Sequence, residues 1–154
     1  MLDLEHAMRA ALAEAELALP SGDVPVGAVL LDSDGSVLAH AHNEREALHD
    51  PTAHAEVLAI RRAAERRGAW HLDDTTLVVT LEPCVLCAGA ILAARIPRLV
   101  FGAWDVKAGA VGSVHDLLRD RRLPHRVEVT SGVLADDGAA LLTRFFAERR
   151  AAES

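Results

Sequence analysis

The sequence predicts an α/β fold, in which a sheet carries helices on both of its faces. Three observations support this fold class. The chain of 154 residues is long enough to bury a core of its own. About half of its residues are apolar and a quarter are charged, as in globular proteins. Segments with helical spacing alternate with short apolar runs, which implies crossover connections. We therefore expect one domain over residues 1–154, without a linker or a repeat.

The first predicted helix spans residues 2–19, where apolar side chains recur at helical spacing and glutamates lie off that stripe. Residues 20–22, Pro-Ser-Gly, end it. Residues 24–31 are almost continuously apolar, as expected of a strand covered on both faces. A turn at residues 32–35 then leads into a second strand at residues 37–42, so the two strands form a hairpin.

A loop at residues 43–49 precedes the second predicted helix. Asp50 is a suitable N-cap and Pro51 suits the first helical position, so we expect the helix to begin there. It should continue to about Arg67, because Gly68 is a typical C-terminal stop.

The remaining elements follow from the same signals. A strand at residues 76–81 is β-branched and apolar. Glu82 and Pro83 then predict the start of a helix that ends near Arg95. The later predicted elements are a strand at 99–103, a glycine-bearing loop at 105–112, a short helix at 114–119, a strand at 127–133 and a closing helix at 136–150 that belongs to the same domain.

The formal net charge of −7 argues against a protein that grips nucleic acid over a broad surface, because phosphate contacts supply most non-specific affinity. A local basic patch is compatible with this charge. All but one of the 16 basic residues are arginine. They cluster at residues 61–67, 119–126 and 144–150, and a solvated helix or loop face is the simplest interpretation of each cluster.

The N-terminal segment lacks the basic flank and the uninterrupted apolar core of a signal peptide. No apolar run approaches the roughly 20 residues that a membrane span needs. We therefore expect a cytoplasmic protein, and reducing conditions there disfavour a structural disulfide between the two cysteines, Cys84 and Cys87. Metal binding and redox chemistry are the alternatives that remain.

Cys84 and Cys87 stand three positions apart at the start of a predicted helix. Residues at i and i+3 lie on one helix face, so both sulfur atoms can reach one point. A helix N-terminus also favours thiolates, the form that binds zinc. A Cys-X-X-Cys pair after a strand nevertheless fits a redox dithiol equally well.

His54 and Glu56 lie at the start of the other proline-containing helix. His54 could complete a set of one imidazole and two thiolates, which leaves a fourth tetrahedral position open, as in a catalytic zinc site. Side chains two positions apart point to nearly opposite sides of a helix. The side chains of His54 and Glu56 can reach one site only if that site lies beyond the first turn of the helix.

His-X-Glu followed by Pro-Cys-X-X-Cys is the signature of zinc deaminases that act on nucleobases. The flanking blocks extend the match, and the chain from about residue 4 to 150 resembles the bacterial tRNA-specific adenosine deaminase family of the cytidine deaminase-like superfamily. The segments that carry the resemblance are Val24–Ala28, Asn43, His49–Glu56, Thr80–Ala90, Phe101–Ala103 and His125–Glu128.

The resemblance implies a three-layer α/β/α fold with a five-stranded mixed sheet, one Zn²⁺ per chain held by His54, Cys84 and Cys87, and a homodimer. It implies deamination of adenosine to inosine at the wobble position of a tRNA anticodon loop, with Glu56 as the general acid–base. A single-stranded loop lets the base enter a pocket at low unstacking cost.

The resemblance also assigns substrate contacts. Asn43 would contact the target nucleotide, while Asp105 and Lys107 would face flanking nucleotides. Trp104 departs from the polar residue typical of this position, and it either stacks on a flanking base or forms a dimer contact. Gly27 indicates close approach of either a ligand or a helix.

The arginines at 144, 149 and 150 form a modest electropositive end of the closing helix. We interpret them as a hypothesis for contact with the anticodon stem. The net negative charge is more consistent with a small footprint on RNA than with a protein that wraps it.

Three other functions are compatible with parts of the pattern. The metal motif alone also suits a zinc deaminase of a free base or nucleoside, such as guanine, cytosine or cytidine. A non-catalytic partner subunit or zinc-stabilised binding protein would have no need of Glu56. A dithiol redox protein would form a reversible disulfide and bind no zinc.

Overall fold

The computed structural model describes residues 2–154, and Met1, which the predicted domain includes, lies outside them. The described residues form five strands and five α-helices. In chain order these are α1 (Leu4–Glu16), a 3₁₀ turn (Leu19–Ser21), β1 (Gly27–Leu31), β2 (Val37–His42), α2 (Arg45–Leu48), α3 (Ala55–Arg67), β3 (Thr76–Leu81), α4 (Val85–Ala93), β4 (Arg98–Ala103), β5 (Glu128–Thr130) and α5 (Ala135–Glu153).

The five strands form one mixed sheet in the order β2-β1-β3-β4-β5. β1 is antiparallel to both β2 and β3, as the predicted hairpin requires for the first pair. β4 is parallel to β3 and to β5, so α4 is the crossover connection between β3 and β4. The prediction of a five-stranded mixed sheet with helices is confirmed.

Helices cover both faces of this sheet. Met8 and Ala11 of α1 pack with Val29 and Val78 on one face, and Gly138 places α5 beside α1. On the other face α3 and α4 enclose the larger apolar cluster. It includes Leu58, Ala59 and Ala63 of α3, Ala88 and Ile91 of α4, and Ala28, Leu30, Leu77, Val79, Leu99 and Phe101 of the strands.

Gly27 is the point at which α1 approaches the sheet most closely. A β-carbon at this position would overlap the backbone of Ala11 and Ala15. Of the two interpretations of Gly27, close approach of a helix is therefore the one that the structure supports.

The predicted starts of α3 and α4 are wrong, because the expected N-caps make other contacts. The side chain of Asp50 accepts hydrogen bonds from the backbone and hydroxyl of Thr52 in a local turn. α3 begins only after His54, whose backbone is extended. Cys84, and not Glu82, occupies the N-cap position of α4.

Further expectations are corrected. The predicted loop at 43–49 contains the short helix α2. Residues 114–119 are bends and irregular backbone, with a bridge between Val111 and Asp116, instead of a helix. The first and last strands are shorter than their apolar runs, and α1 ends at Glu16. Within residues 2–154, no helix combines the length and the apolar character that crossing a membrane requires.

Candidate metal centre and active site

His54, Cys84 and Cys87 converge at the amino ends of α3 and α4. Nδ1 of His54 lies 3.6 Å from Sγ of Cys84 and 3.4 Å from Sγ of Cys87. Within residues 2–154 this is the group of three potential metal-binding side chains whose ligand atoms all lie within 4.8 Å of one another. The extended backbone of both His54 and Cys84 turns these two side chains toward the common point.

The three ligand atoms fit tetrahedral zinc. Zn–N bonds of about 2.0 Å and Zn–S bonds of about 2.3 Å at a tetrahedral angle separate N and S by about 3.5 Å. The measured separations of 3.6 and 3.4 Å agree with this value. One imidazole and two sulfur ligands leave a fourth position for a non-protein ligand.

The pKa values of the two cysteines are shifted in opposite directions because one thiol group donates a hydrogen bond to the other. A hydrogen bond from Cys87 lowers the pKa of Cys84 to about 3, and the His54 imidazole contributes to this shift. The same hydrogen bond, together with burial, raises the pKa of Cys87. The hydrogen bond to Cys84 likewise raises the pKa of His54. These opposite shifts make Cys84 the more acidic of the two thiols, and both cysteines are free of disulfides.

Glu56 lies in the first turn of α3 and is almost fully buried, with 4% of its surface exposed. Burial raises the pKa of its carboxyl group, and the field of Cys84 adds to that effect. A raised pKa makes the carboxylate a stronger proton acceptor than an exposed glutamate.

A cavity of about 210 Å³ opens onto these residues. Its volume is below the roughly 300–1,000 Å³ of sites for drug-sized ligands, so it suits a single small ring system. Its lining comprises Val24, Val26, Asn43, Arg45, His54, Ala55, Glu56, Leu81, Glu82, Cys84, Asp105 and Ala108.

Of the predicted substrate contacts, Asn43 and Asp105 line this cavity and Lys107 does not. The Asn43 side chain donates a hydrogen bond to the carbonyl of Val24 and accepts one from the amide of Arg45, at 3.2 Å each. Its orientation is therefore fixed by the loop around it. Lys107 is exposed beside the cavity.

Trp104 stands at the edge of the same region. It is about half exposed, and its ring packs edge to face on Phe101, with 4.9 Å between the ring centroids. The structure thus presents a fixed aromatic surface next to Asp105, which is compatible with either interpretation of this residue.

Sequence reasoning missed two charged residues in the cavity wall. Arg45 stands in a segment that was predicted to be a loop and gave no signal of its own. Glu82 was interpreted only as an N-cap, yet it is buried. Although burial alone would raise the pKa of Glu82, hydrogen bonds from Ser113 and from the amides of Asp105 and Val111 lower it.

Comparisons with known proteins agree with this site. Residues 1–103 match the family model for the cytidine and deoxycytidylate deaminase zinc-binding region. A tRNA-specific adenosine deaminase from Haemophilus influenzae is 48% identical over 146 residues, which cover 95% of this chain and 84% of the relative. Its counterpart from Bacillus subtilis is 46% identical over 143 residues, which cover 93% of this chain and 88% of the relative.

Solved structures are similar as well. One from a study of A-to-I editing by tRNA:A34 deaminases at the wobble position of transfer RNA superimposes with a TM-score of 0.85 at 44% identity. The match covers 89% of this chain and 99% of that one. A guanine deaminase from Nitrosomonas europaea gives a TM-score of 0.80 at 25% identity, with 96% and 86% of the two chains covered.

Proposed function

The chain belongs to the tRNA-specific adenosine deaminase family of zinc-binding deaminases, and we propose that it converts adenosine to inosine at the wobble position of a tRNA anticodon loop. Water and adenosine give inosine and ammonia. One observation supports the proposal that this chain's own residues carry out the reaction. A single cavity joins His54 and Cys84 of the metal centre to the buried carboxyl group of Glu56.

We assign the zinc ligands to His54, Cys84 and Cys87, whose spacing supports one Zn²⁺ per chain. When bound, zinc supplies Lewis-acid activation of water, so that a nucleophile is available at neutral pH. The thiolate of Cys84 and the imidazole of His54 are placed to receive the ion.

Glu56 is the proposed general acid–base. Its carboxylate takes one proton from water and delivers it to N1 of the purine as the water oxygen bonds to C6. It then takes the remaining proton from the C6 hydroxyl and gives it to the amino group, which leaves as ammonia while the C6 carbonyl forms. The burial that raises its pKa supports this role, because the group must hold the proton between the two transfers.

Asn43 and Asp105 are the proposed contacts to the target nucleotide and its neighbour, since both line the cavity. Lys107, exposed at the rim, is proposed to face a flanking phosphate. The cavity admits one base, so the target adenosine must leave its stack, which costs least in a single-stranded loop.

We also propose one deaminase domain that includes α5, a homodimer and a cytoplasmic location. Contacts of α5 with β3 and β4 support its inclusion in the domain. Exposed apolar side chains near the site support self-association: Val85, Leu86, Trp104, Val106 and Val114. Two free cysteines are consistent with a reducing compartment.

The test is a comparison of substrates. The zinc-loaded protein is incubated with an anticodon stem-loop that carries adenosine at the wobble position, and separately with free adenosine, cytidine and guanine. We expect inosine from the stem-loop and little ammonia from the free compounds. The matched control is the same stem-loop with its adenosine moved into the paired stem, which should not react.

Release of ammonia only from the free compounds would overturn the proposal in favour of a free-base or nucleoside deaminase. The similarity of the fold to a guanine deaminase makes guanine the most informative of these competitors. Measurement of zinc in protein purified without added metal separates both deaminases from a dithiol redox protein.

A further inference from the structure

A buried carboxylate, Glu82, stands two positions before Cys84 and lines the same cavity. Glu82 directly follows β3 and is only 2% exposed. Among the ion pairs found in residues 2–154, none involves Glu82. Its charge is compensated by hydrogen bonds instead.

These hydrogen bonds all come from the loop that follows β4, residues 104–113. One carboxylate oxygen accepts from the amide of Asp105 at 3.0 Å and from the hydroxyl of Ser113. The other accepts from the amides of Val111 at 3.0 Å and Ser113 at 3.1 Å. Four donors from the two ends of one loop therefore meet at a single side chain.

The loop is also held by the core, since Ala110 and Val111 are fully buried, and by a bridge between Val111 and Asp116. The amide of Ala110 donates to the carbonyl of Pro83 at 2.8 Å, which ties the middle of the loop to the same segment. Gly109 lies directly against the Glu82 carboxylate, and a β-carbon at that position would overlap it. The loop thus closes tightly around Glu82.

This same loop forms part of the cavity wall. Asp105 and Ala108 line the cavity, and the Asp105 side chain accepts hydrogen bonds from the amides of Lys107 and Ala108 at 3.1 Å each. Because the amide of Asp105 is bonded to Glu82, the carboxylate fixes the backbone from which the proposed substrate contact projects.

We propose that Glu82 is a positioning residue for substrate binding, which holds the loop at residues 104–113 so that Asp105 faces the cavity. This inference rests on the proposed function, since it takes Asp105 to contact the substrate. Glu82 acts through the loop and leaves the metal centre and Glu56 unchanged.

Glu82→Gln should weaken the hold on the loop because it leaves buried hydrogen-bond donors without an acceptor. Hydrogen bonds to a charged acceptor are stronger than those between neutral groups, and a buried donor without a partner is costly. In Glu82→Gln one oxygen becomes an NH₂ group that faces N–H or O–H donors. Two of the four donors then lose their acceptor although the side chain keeps its volume.

The experiment compares Glu82→Gln with Glu65→Gln, in which an exposed glutamate of α3 loses the same charge. With the anticodon stem-loop as substrate, we expect Glu82→Gln to raise KM about tenfold or more and to change kcat by less than about threefold. Zinc content should stay at one ion per chain. Ser113→Ala, which removes only the hydroxyl donor, should raise KM less than Glu82→Gln, and Glu65→Gln should leave both constants unchanged.

Hydrogen exchange provides a readout that does not depend on activity. In Glu82→Gln the amides of Asp105, Val111 and Ser113 should exchange at least about tenfold faster. The amide of Ala88, which donates to Cys84 within α4, should keep its wild-type rate.

The two proposals fail in different ways. If wild-type protein does not deaminate the stem-loop, the proposed function is wrong. If wild-type protein is active and Glu82→Gln retains its KM and its exchange rates, the positioning role is wrong. Loss of zinc from Glu82→Gln would also overturn it, because the residue would then support the metal centre.

Discussion

At the scale of single residues, three buried carboxylates have different tasks. Asp23 accepts hydrogen bonds from amides of α2, and Glu82 accepts them from the loop after β4, so each anchors a segment that is distant in sequence. Glu56 and Glu82 both line the cavity, but burial raises the pKa of the Glu56 carboxyl group, whereas hydrogen bonds lower that of Glu82. Only Glu56 is therefore suited to transfer protons during the reaction.

The first prediction concerns Glu56→Gln. The amide keeps the size of the side chain but cannot accept a proton from water or pass one to the purine. We expect kcat on the stem-loop to fall by about 10²–10⁴-fold. Zinc content, measured by atomic emission, should remain at one ion per chain because Glu56 is not among the three clustered ligands.

Glu65→Gln serves as the control here too and should retain full turnover. A Glu56→Gln variant that keeps its zinc and more than about a tenth of wild-type kcat would contradict the role of Glu56 as general acid–base.

The zinc ligands could be proposed from sequence because His-X-Glu followed by Pro-Cys-X-X-Cys is a specific combination, whereas the cysteine pair alone fits a redox dithiol equally well. The task of Glu82 could not. Its partners are 23 to 31 positions away, and no spacing rule links a residue after one strand to the loop after the next. Sequence reasoning placed it at a helix start, where a carboxylate is also common.

At the scale of elements, the bounds of β2 and β3 were predicted correctly, whereas the starts of β1, α3 and α4 were predicted too early. β2 and β3 have the predicted bounds because their apolar or β-branched runs determine where they can be buried. α3 and α4 begin two to four residues later than predicted, because Asp50 and Glu82 are used in a turn and in a loop contact. A candidate N-cap predicts a helix start only if no competing partner is near.

α2 was missed for a related reason. Its own flanking residue makes no side-chain cap. Asp23, more than twenty residues earlier, instead accepts hydrogen bonds from the amides of Glu46 and Ala47 at 2.6 and 3.2 Å. A cap supplied from a distance leaves no local pattern.

The second prediction tests the contact between α1 and the sheet. Gly27→Ala should lower the free energy of unfolding by about 1–3 kcal/mol, because the added methyl group overlaps the backbone of α1 and the core must shift. Urea unfolding at fixed zinc concentration measures this. Gly89→Ala is the matched control, since that glycine is exposed in α4 with open space around it.

Gly89→Ala should raise the free energy of unfolding by about 0.5–1 kcal/mol, as expected for a helix interior. Equal stability of the two variants would show that α1 does not approach β1 as closely as the structure indicates.

The third prediction concerns the arginines of α3, which the sequence suggested were a solvated face. Arg62 donates to the carbonyl of His40 at 2.9 Å, and Arg66 donates to those of Val37 and Leu38 at 3.0 and 3.1 Å. β2 is an edge strand of the sheet. These guanidinium groups therefore cover carbonyls that would otherwise be free to pair with another chain.

We expect the double variant Arg62→Ala/Arg66→Ala to form larger assemblies than the wild type as protein concentration increases, measured by light scattering. Its zinc content should not change. The matched control is Arg9→Ala/Arg61→Ala, which removes two exposed arginines that make no hydrogen bond to this edge. Identical particle sizes for both double variants would argue against edge protection.

At the scale of the whole molecule, the cavity lies at the edge where β3 ends and the chain continues to Glu82 and Cys84. Asn43, which follows β2, reaches the same edge because β2 and β3 flank β1 with the same orientation. Ligand sites in open α/β sheets typically lie outside the carboxyl ends of strands. Hydrophobic periodicity does not encode strand order, so the resemblance to a family was needed to place these residues together.

The surface around this edge suggests where the stem of the RNA is held. Phe145 and Arg149 of α5 share a surface depression with Glu46 of α2, next to Arg45 in the cavity wall. The Arg149 guanidinium lies over the ring of Phe145, 5.9 Å from its centroid. Arg149 also lies 3.7 Å from Glu153, and Glu148 lines the same depression. We propose that the arginines of the carboxyl half of α5 contact RNA bound at the cavity, although the chain as a whole carries −7.

The fourth prediction is that Arg149→Glu/Arg150→Glu raises KM for the stem-loop by about tenfold or more and leaves kcat nearly unchanged, because lost phosphate contacts weaken binding without altering the chemistry. The slope of log KM against log salt concentration should become shallower by about one to two. Arg9→Glu/Arg95→Glu makes the same change in net charge and should have a smaller effect, since Arg95 follows the end of α4 opposite the metal centre. Equal effects of the two double variants would mean that net charge, and not a local site on α5, governs RNA binding.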